Sequence, residues 1–236
     1  MDHLPLVLLH AFPLDPRMWD GVREVLHPIT PELRGRGREA DLGVLADDVL
    51  GELDARGLER VVLGGCSMGG YVAMALLRRD PSRVAGLVLA DTRFTADGEE
   101  ARANRLTMAR RVEEEGVEWV PDTVLGGLVG AAPADGVVER VRELILAREP
   151  AEVAWAQRAM AARPDSRDVL AGVDMPALVL VGAQDTLTPP TAARELADVL
   201  PASTYVELAD AGHLTPVEVP QAFARAVDDW RRRVGV

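Results

Sequence analysis

Lysine is missing from this chain of 236 residues: all 26 basic residues are arginine. Without lysine there is no Schiff-base chemistry and no phosphate-binding P-loop. A single cysteine, Cys66, excludes a disulfide framework and a cysteine-based zinc site. Histidine is limited to His3, His10, His27 and His213, and serine to Ser67, Ser82, Ser166 and Ser203. A mechanism that needs either type therefore has few candidates. Positive charge is also in deficit: the net charge of −12 argues against nucleic acid or an anionic membrane surface as partner. No apolar run approaches the roughly 18 residues of a membrane span. The start, Met1-Asp2-His3, lacks the basic segment of a signal peptide. The expectation is a soluble, cytoplasmic protein.

What is present is core material. Apolar residues make up 48% of the chain and charged residues 27%, a balance that suits one folded domain with room for an insertion. Four short runs rich in Val and Leu, at 5–10, 61–66, 84–90 and 177–181, lack polar alternation, as expected of strands covered on both faces. A weaker strand is predicted at 27–30 and a late one at 204–208. Helical stretches at 42–56 and 68–79 separate the early strands, and another closes the chain at 220–233. Strand alternating with helix is the pattern of a parallel α/β sheet. Residues 93–167 break that rhythm and contain no convincing strand. They read as amphipathic helices near 97–115, 118–128, 135–148 and 151–162, a helical insertion between two sheet strands.

The strongest chemical signal is Gly64-Gly65-Cys66-Ser67-Met68-Gly69-Gly70, set between a strand and a helix. It contains G-x-S-x-G in the context a nucleophile elbow requires. The turn is sharp, so the positions two before and two after the serine must be small, and Gly65 and Gly69 fill them. With 21 glycines and four serines in the chain, chance supplies this triplet roughly 0.03 times. The serine would stand above the N-terminus of the following helix, where backbone amides, that of Met68 first, stabilise negative charge. A serine needs a base, and His213, in the Asp210-Ala211-Gly212-His213-Leu214 loop after the last strand, is the candidate. The base needs an acid to hold its tautomer. Asp185, following the 177–181 strand, is preferred, and Asp91, at the end of the 84–90 strand, is its positional rival. Both stand where open parallel sheets place their sites.

The order Ser67, Asp185, His213 resembles that of the α/β-hydrolase superfamily, and so does nearly the whole chain. His10-Ala11-Phe12-Pro13 is similar to that family's H-G-F-P oxyanion segment. Pro31-Glu32-Leu33-Arg34-Gly35-Arg36-Gly37 is similar to its P-D-L-R-G-x-G. Gly182-Ala183-Gln184-Asp185-Thr186-Leu187-Thr188-Pro189 resembles its G-x-x-D-x-x-x-P turn, and Ala211-Gly212-His213 its A-G-H loop. Small bacterial esterases, 3-oxoadipate enol-lactonases and cofactor-free haloperoxidases are the members it looks most like. The resemblance implies an α/β-hydrolase fold, a mainly parallel sheet flanked by helices. Residues 1–92 and 168–236 would form the core and 93–167 a helical cap. It implies an oxyanion hole of the Phe12 and Met68 amides, the former on the family alone, and a bracing role for His10. It implies no metal and no organic cofactor. Three departures stand out. Ala11 replaces a glycine of the oxyanion loop, Glu32 replaces an aspartate in a surface setting, and the N-terminal hairpin is missing.

The expected activity is hydrolysis of a small carboxylic ester or lactone through an acyl-enzyme on Ser67. The same triad would equally serve C–C bond hydrolysis, thioester hydrolysis, acyl transfer or perhydrolysis. A non-catalytic binder on the same fold is the alternative of another class. Trp119, Trp155 and Met160 are candidates for an apolar pocket in the cap, against a plain role in its core. Arg102 and Arg105 read as solvated helix faces and Cys66 as packing behind the elbow. Specificity resides in the cap, where no motif names the substrate.

Overall fold

The computed structural model describes residues 4–35 and 37–236; the Met1-Asp2-His3 start and Arg36 of the second family-like segment lie outside them. Five strands, β1 (Leu6–Leu9), β2 (Val61–Cys66), β3 (Val84–Ala90), β4 (Ala177–Gly182) and β5 (Ser203–Leu208), lie side by side in chain order, every pair parallel. Alternate side chains point to opposite faces. Leu63, Leu87 and Val179 enter one apolar cluster, while Val62, Val88 and Leu178 enter the other. Both faces of the four strands β1–β4 are therefore buried, which is why their sequences show no polar alternation. β5 is the exception: Ser203 and Glu207 are exposed, as befits an edge strand.

The helices of the sheet layers are α1 (Arg23–Leu26), α2 (Leu42–Ala55), α3 (Met68–Arg79), α8 (Arg167–Ala171), α9 (Pro190–Val199), α10 (Thr215–Glu218) and α11 (Pro220–Val234). α2, α3 and α9 contribute to one cluster. α11 and a 3-10 helix over Pro16–Val22 cover the other face, where Trp19, Phe223 and Trp230 are wholly buried. The predicted strand at 27–30 shrinks to a single bridge, Ile29 to Val7, on the outer edge of β1. The helices at 16–26 and 190–199 were not anticipated. The latter carries a legible start in Pro189-Pro190, since proline favours the first helical position.

Between β3 and β4 the chain forms α4 (Glu99–Glu115), α5 (Val120–Leu128), α6 (Val137–Leu146) and α7 (Pro150–Ala162), with no strand among them. The apolar stripe of α6, Val137, Val141, Leu144 and Ile145, is buried in the same cluster as Trp19 and Phe223. α7 turns its small and apolar residues inward and seats Trp155 in the other cluster. The segment leaves the carboxyl end of β3 and doubles back there, Ser166 N–H donating to the Phe94 oxygen at 3.0 Å, before the chain crosses to the amino end of β4, so α5 and α7 share a cavity with Ser67.

Candidate active site

Ser67 sits in the turn from β2 to α3 with φ of 52° and ψ of −112°, a conformation costly for a residue with a Cβ. The turn closes so tightly that a Cβ on Gly65 would stand 2.2 Å from the Gly69 carbonyl. One on Gly69 would stand 2.1 Å from the Leu9 oxygen of β1. Only glycine fits at either position. The Ser67 carbonyl accepts a hydrogen bond from the Thr92 hydroxyl at 2.9 Å, which ties the elbow to the end of β3.

His213 and Asp185 come to Ser67 from the ends of β5 and β4. The His213 ring is 2.8 Å from Ser67 Oγ through Nε2 and 2.8 Å from Asp185 Oδ2 through Nδ1. A carboxylate only accepts, so Nδ1 carries the proton and Nε2 is the free base facing the hydroxyl. Asp185 Oδ1 accepts from the Leu187 and Thr188 N–H groups, and Oδ2 from the Thr188 hydroxyl at 2.7 Å. Burial would raise this carboxyl, but the bond to His213 and those to Thr188 outweigh it and hold it below the usual carboxylate range. The histidine loop is pinned by the buried Glu218, whose Oε1 accepts from Gly212 and Leu214 N–H. Its Oε2 accepts from Gly130 N–H in the segment between α5 and α6. Thr188 and Glu218 escaped sequence reasoning. The Asp-x-x-Thr spacing of the first is a recognisable turn signal, whereas nothing local marks the second.

Asp91, the rival acid, is fully buried and does not touch the ring. It accepts from the Gly182 N–H at 3.1 Å and from the Thr215 N–H and hydroxyl at 3.0 and 2.6 Å. Burial pushes its carboxyl up to about 7, against the pull of His213 and the Thr215 bonds. Cys66 is buried behind the elbow, 3.6 Å from Asp91, and burial drives its thiol well above the ordinary value. It is an inert packing group, as read from the sequence.

The loop after β1 carries Phe12. His10 braces it: Nε2 accepts the Leu33 N–H at 3.0 Å, and Nδ1 lies 3.0 Å from the Ala11 oxygen. Ala11 is completely buried, its N–H on the Met18 sulfur. Neither the Phe12 nor the Met68 N–H meets an acceptor among the described residues. Two unspent amides beside a nucleophile are what an oxyanion hole requires.

A cavity of about 290 Å³ opens over Ser67 and His213. Its apolar wall comes from Phe12, Val124, Leu128, Met160 and Leu187, and among the described residues its formally charged lining is Arg93 and Arg105. Met160 thus lines the pocket, whereas Trp119 and Trp155 do not. Trp119 is covered by the Arg111 guanidinium at 3.8 Å. Trp155 rests on Gly35, its indole N–H donating to the Arg38 oxygen, because this ring fills core space that no smaller residue could. Arg105 is no solvated helix face: it turns inward to Asp97 and Gln157, while Arg102 is exposed as expected. Glu32 is exposed, as expected, and from the surface pairs with the buried Arg148 at 2.7 Å. A second cavity of about 280 Å³ lies beyond Tyr71 and holds no triad residue. Among the described residues no group of three or more His, Cys, Asp or Glu is placed to hold a metal, and no helix is long and apolar enough to cross a membrane.

The model of the alpha/beta hydrolase family matches residues 6–226. A solved thermophilic esterase from Thermogutta terrifontis, described as malate bound, is 40% identical. The match covers 99% of this chain and 91% of that one, with a TM-score of 0.94. Among curated relatives, a pimeloyl-[acyl-carrier protein] methyl ester esterase of Sodalis glossinidius is 29% identical, covering 95% of this chain and 92% of its own. The 3-oxoadipate enol-lactonase 1 of Acinetobacter baylyi is 27% identical, with 92% and 85% covered. The chain spans about half, 47%, of a bifunctional biotin-biosynthesis protein of Cellvibrio japonicus that it also matches.

Proposed function

This chain belongs to the alpha/beta hydrolase family and is a carboxylic ester hydrolase by type, and we propose that it cleaves a small ester or lactone through an acyl-enzyme on Ser67. The observation that carries this reading is the unbroken chain of contacts from Asp185 through His213 to Ser67, each 2.8 Å, beneath a cavity of small-molecule size. Residues 93–167 act as the cap that closes that cavity.

The reaction follows from the geometry. His213 Nε2 takes the Ser67 proton as Oγ attacks the carbonyl carbon. The oxygen that becomes negative turns to the Phe12 and Met68 N–H groups. The tetrahedral adduct collapses, and His213 returns its proton to the departing alkoxide. In a lactone that alkoxide stays tethered to the acyl group. Water then gives a proton to His213 and attacks the acyl carbon. Collapse of this second adduct frees the acid and restores the Ser67 hydroxyl. Asp185 stays ionised throughout and stabilises the imidazolium, a role that suits a carboxyl held low by its bonds to His213 and Thr188. The named esterase and lactonase relatives support the same substrate class.

The test is turnover of 4-nitrophenyl acetate by the wild type and by Ser67→Ala, with labelling of Ser67 by a phosphonate. The expected loss of kcat is roughly 10⁴- to 10⁶-fold with folding intact. Retention of more than about a tenth of wild-type turnover would assign the nucleophile elsewhere.

A further inference from the structure

The cavity over Ser67 inverts the charge of the molecule that surrounds it. The chain carries twelve more acidic than basic residues, yet among the described residues no Asp or Glu lines this cavity and two arginines do. Those two belong to a cluster in which three guanidiniums share one carboxylate. Asp97, its side chain fully buried, accepts from Arg93 at 2.7 Å and Arg163 at 2.8 Å on Oδ1 and from Arg105 at 2.5 Å on Oδ2. Burial would raise the Asp97 carboxyl, but Arg163 and Arg105 hold it far below the usual range, so it stays ionised. Asp97 balances one of the three cations and leaves two in excess.

The three are not equivalent. Arg163 is buried and does not line this cavity; both its terminal nitrogens are bonded, to Asp97 and to the Met160 and Thr95 carbonyls, its Nε is without a partner, and its guanidinium carbon lies over the Tyr71 ring at 4.1 Å. Arg93 and Arg105 face the cavity with donors to spare. Arg93 uses only Nη2 and leaves Nη1 without an acceptor among the described residues. Arg105 uses Nε and Nη1, the latter on Gln157, and leaves Nη2 without an acceptor among the described residues. Guanidinium donors are the preferred partners of a carboxylate. The rest of the lining is largely apolar, chiefly Phe12, Val124, Leu128, Met160 and Leu187, with Thr123, Gln157 and Thr188 among it.

We infer that Arg93 and Arg105 form an anion subsite, and that the preferred substrates are esters or lactones whose far end bears a carboxylate, joined to the scissile carbonyl by a short apolar chain. This rests on the acyl-enzyme reading and names its substrate class. Asp97 presents the two guanidiniums side by side at less cost than two bare cations would carry, and the ligand carboxylate replaces water as the acceptor of their remaining donors.

The test compares mono-4-nitrophenyl esters of the dicarboxylic acids from succinic to suberic with the 4-nitrophenyl esters of the matching monocarboxylic acids, at about pH 8. At the best chain length kcat/KM for the anionic ester is expected to exceed that of its neutral partner by roughly 10- to 100-fold. This ratio should shrink with added salt. Arg93→Met and Arg105→Met should each lower the ratio about tenfold, chiefly through KM, while Arg105→Lys lowers it less. Arg93→Met leaves Asp97 two guanidiniums and stands in if Arg105→Met fails to fold. Anionic esters no better than neutral ones at any length, or a ratio unmoved by every substitution, would overturn the inference. If Ser67 proves unreactive, the acyl-enzyme reading fails separately. The subsite is then read by calorimetric binding of the free dicarboxylates to Ser67→Ala: binding lost in the Arg93→Met background upholds it, and no binding overturns it.

Discussion

Asp185 and Asp91 close the ends of neighbouring strands and serve the same loop, but only Asp185 reaches the His213 ring. Asp185 Oδ2 lies 2.8 Å from Nδ1, whereas Asp91 spends its oxygens on Gly182 and on Thr215, two residues past the histidine. The first contact fixes a tautomer, and the second fixes a backbone. Asp185→Asn is therefore expected to lower kcat by up to about 10⁴-fold with little change in melting temperature. Asp91→Asn turns an amide donor toward backbone donors in a buried site, so it is expected to cost about 1–3 kcal/mol of stability and far less kcat. Steady-state kinetics and thermal melts of the two variants check this; the opposite ranking in kcat would make Asp91 the acid.

Gly69 is held by the strand beneath it. An alanine there would drive its Cβ to 2.1 Å from the Leu9 oxygen, and that oxygen belongs to backbone with nowhere to move. Gly69→Ala is expected to lose folded yield and activity together, at a cost of 1–3 kcal/mol or somewhat more, on the order of other overpacked sites. Gly51→Ala, where a Cβ meets nothing within 4 Å, is the control. It is expected to gain up to about 1 kcal/mol in helix propensity.

The Asp97 cluster predicts a pH signature. Its folded carboxyl lies below the ordinary value of 3.8, so the stabilisation is complete above that value and is lost as pH falls through the lower folded one. Asp97→Asn strands three guanidiniums and is expected to cost about 3 kcal/mol at neutral pH. The gap in melting temperature between wild type and variant should be constant above about pH 5 and narrow steadily below about pH 4, as pH falls toward the lower folded value. A gap independent of pH would mean that Asp97 acts by shape alone.

Trp155 and Met160 share α7 and differ in consequence. Trp155 is 6% exposed and seated on Gly35, so Trp155→Ala opens a core cavity and is expected to cost about 3–5 kcal/mol without re-ranking substrates. Met160 lines the cavity over Ser67. Met160→Ala is expected to move preference toward bulkier esters with a smaller loss of stability. Melting curves and an ester-length profile of each variant separate the two effects.

The sequence by itself determined the sheet and pointed to the proposed triad, because both are written locally. Buried parallel strands must be continuous apolar runs, and the elbow demands glycine on both sides of Ser67. With four serines and four histidines, the order Ser67, Asp185, His213 had few rivals, and the loop positions of all three followed from the strands before them. The tertiary structure alone decided what each side chain faces. Arg105 lies on a helix whose sequence is charged on nearly every side, so no periodicity marked it as the residue turned toward Asp97, eight positions earlier. Asp91 and Asp185 are equivalent by strand position, and only the register of β3, β4 and the histidine loop gives one the ring and the other the backbone. Trp155 and Trp119 could line a pocket or fill a core with equal chemistry. The choice fell to Gly35 and Arg111, the first 120 positions from its tryptophan and the second on a neighbouring helix. The contact of Gly35 with Trp155 depends on where distant segments meet, and those of Arg105 and Arg111 on how the chain turns at the two ends of α4; neither is written in a side-chain pattern.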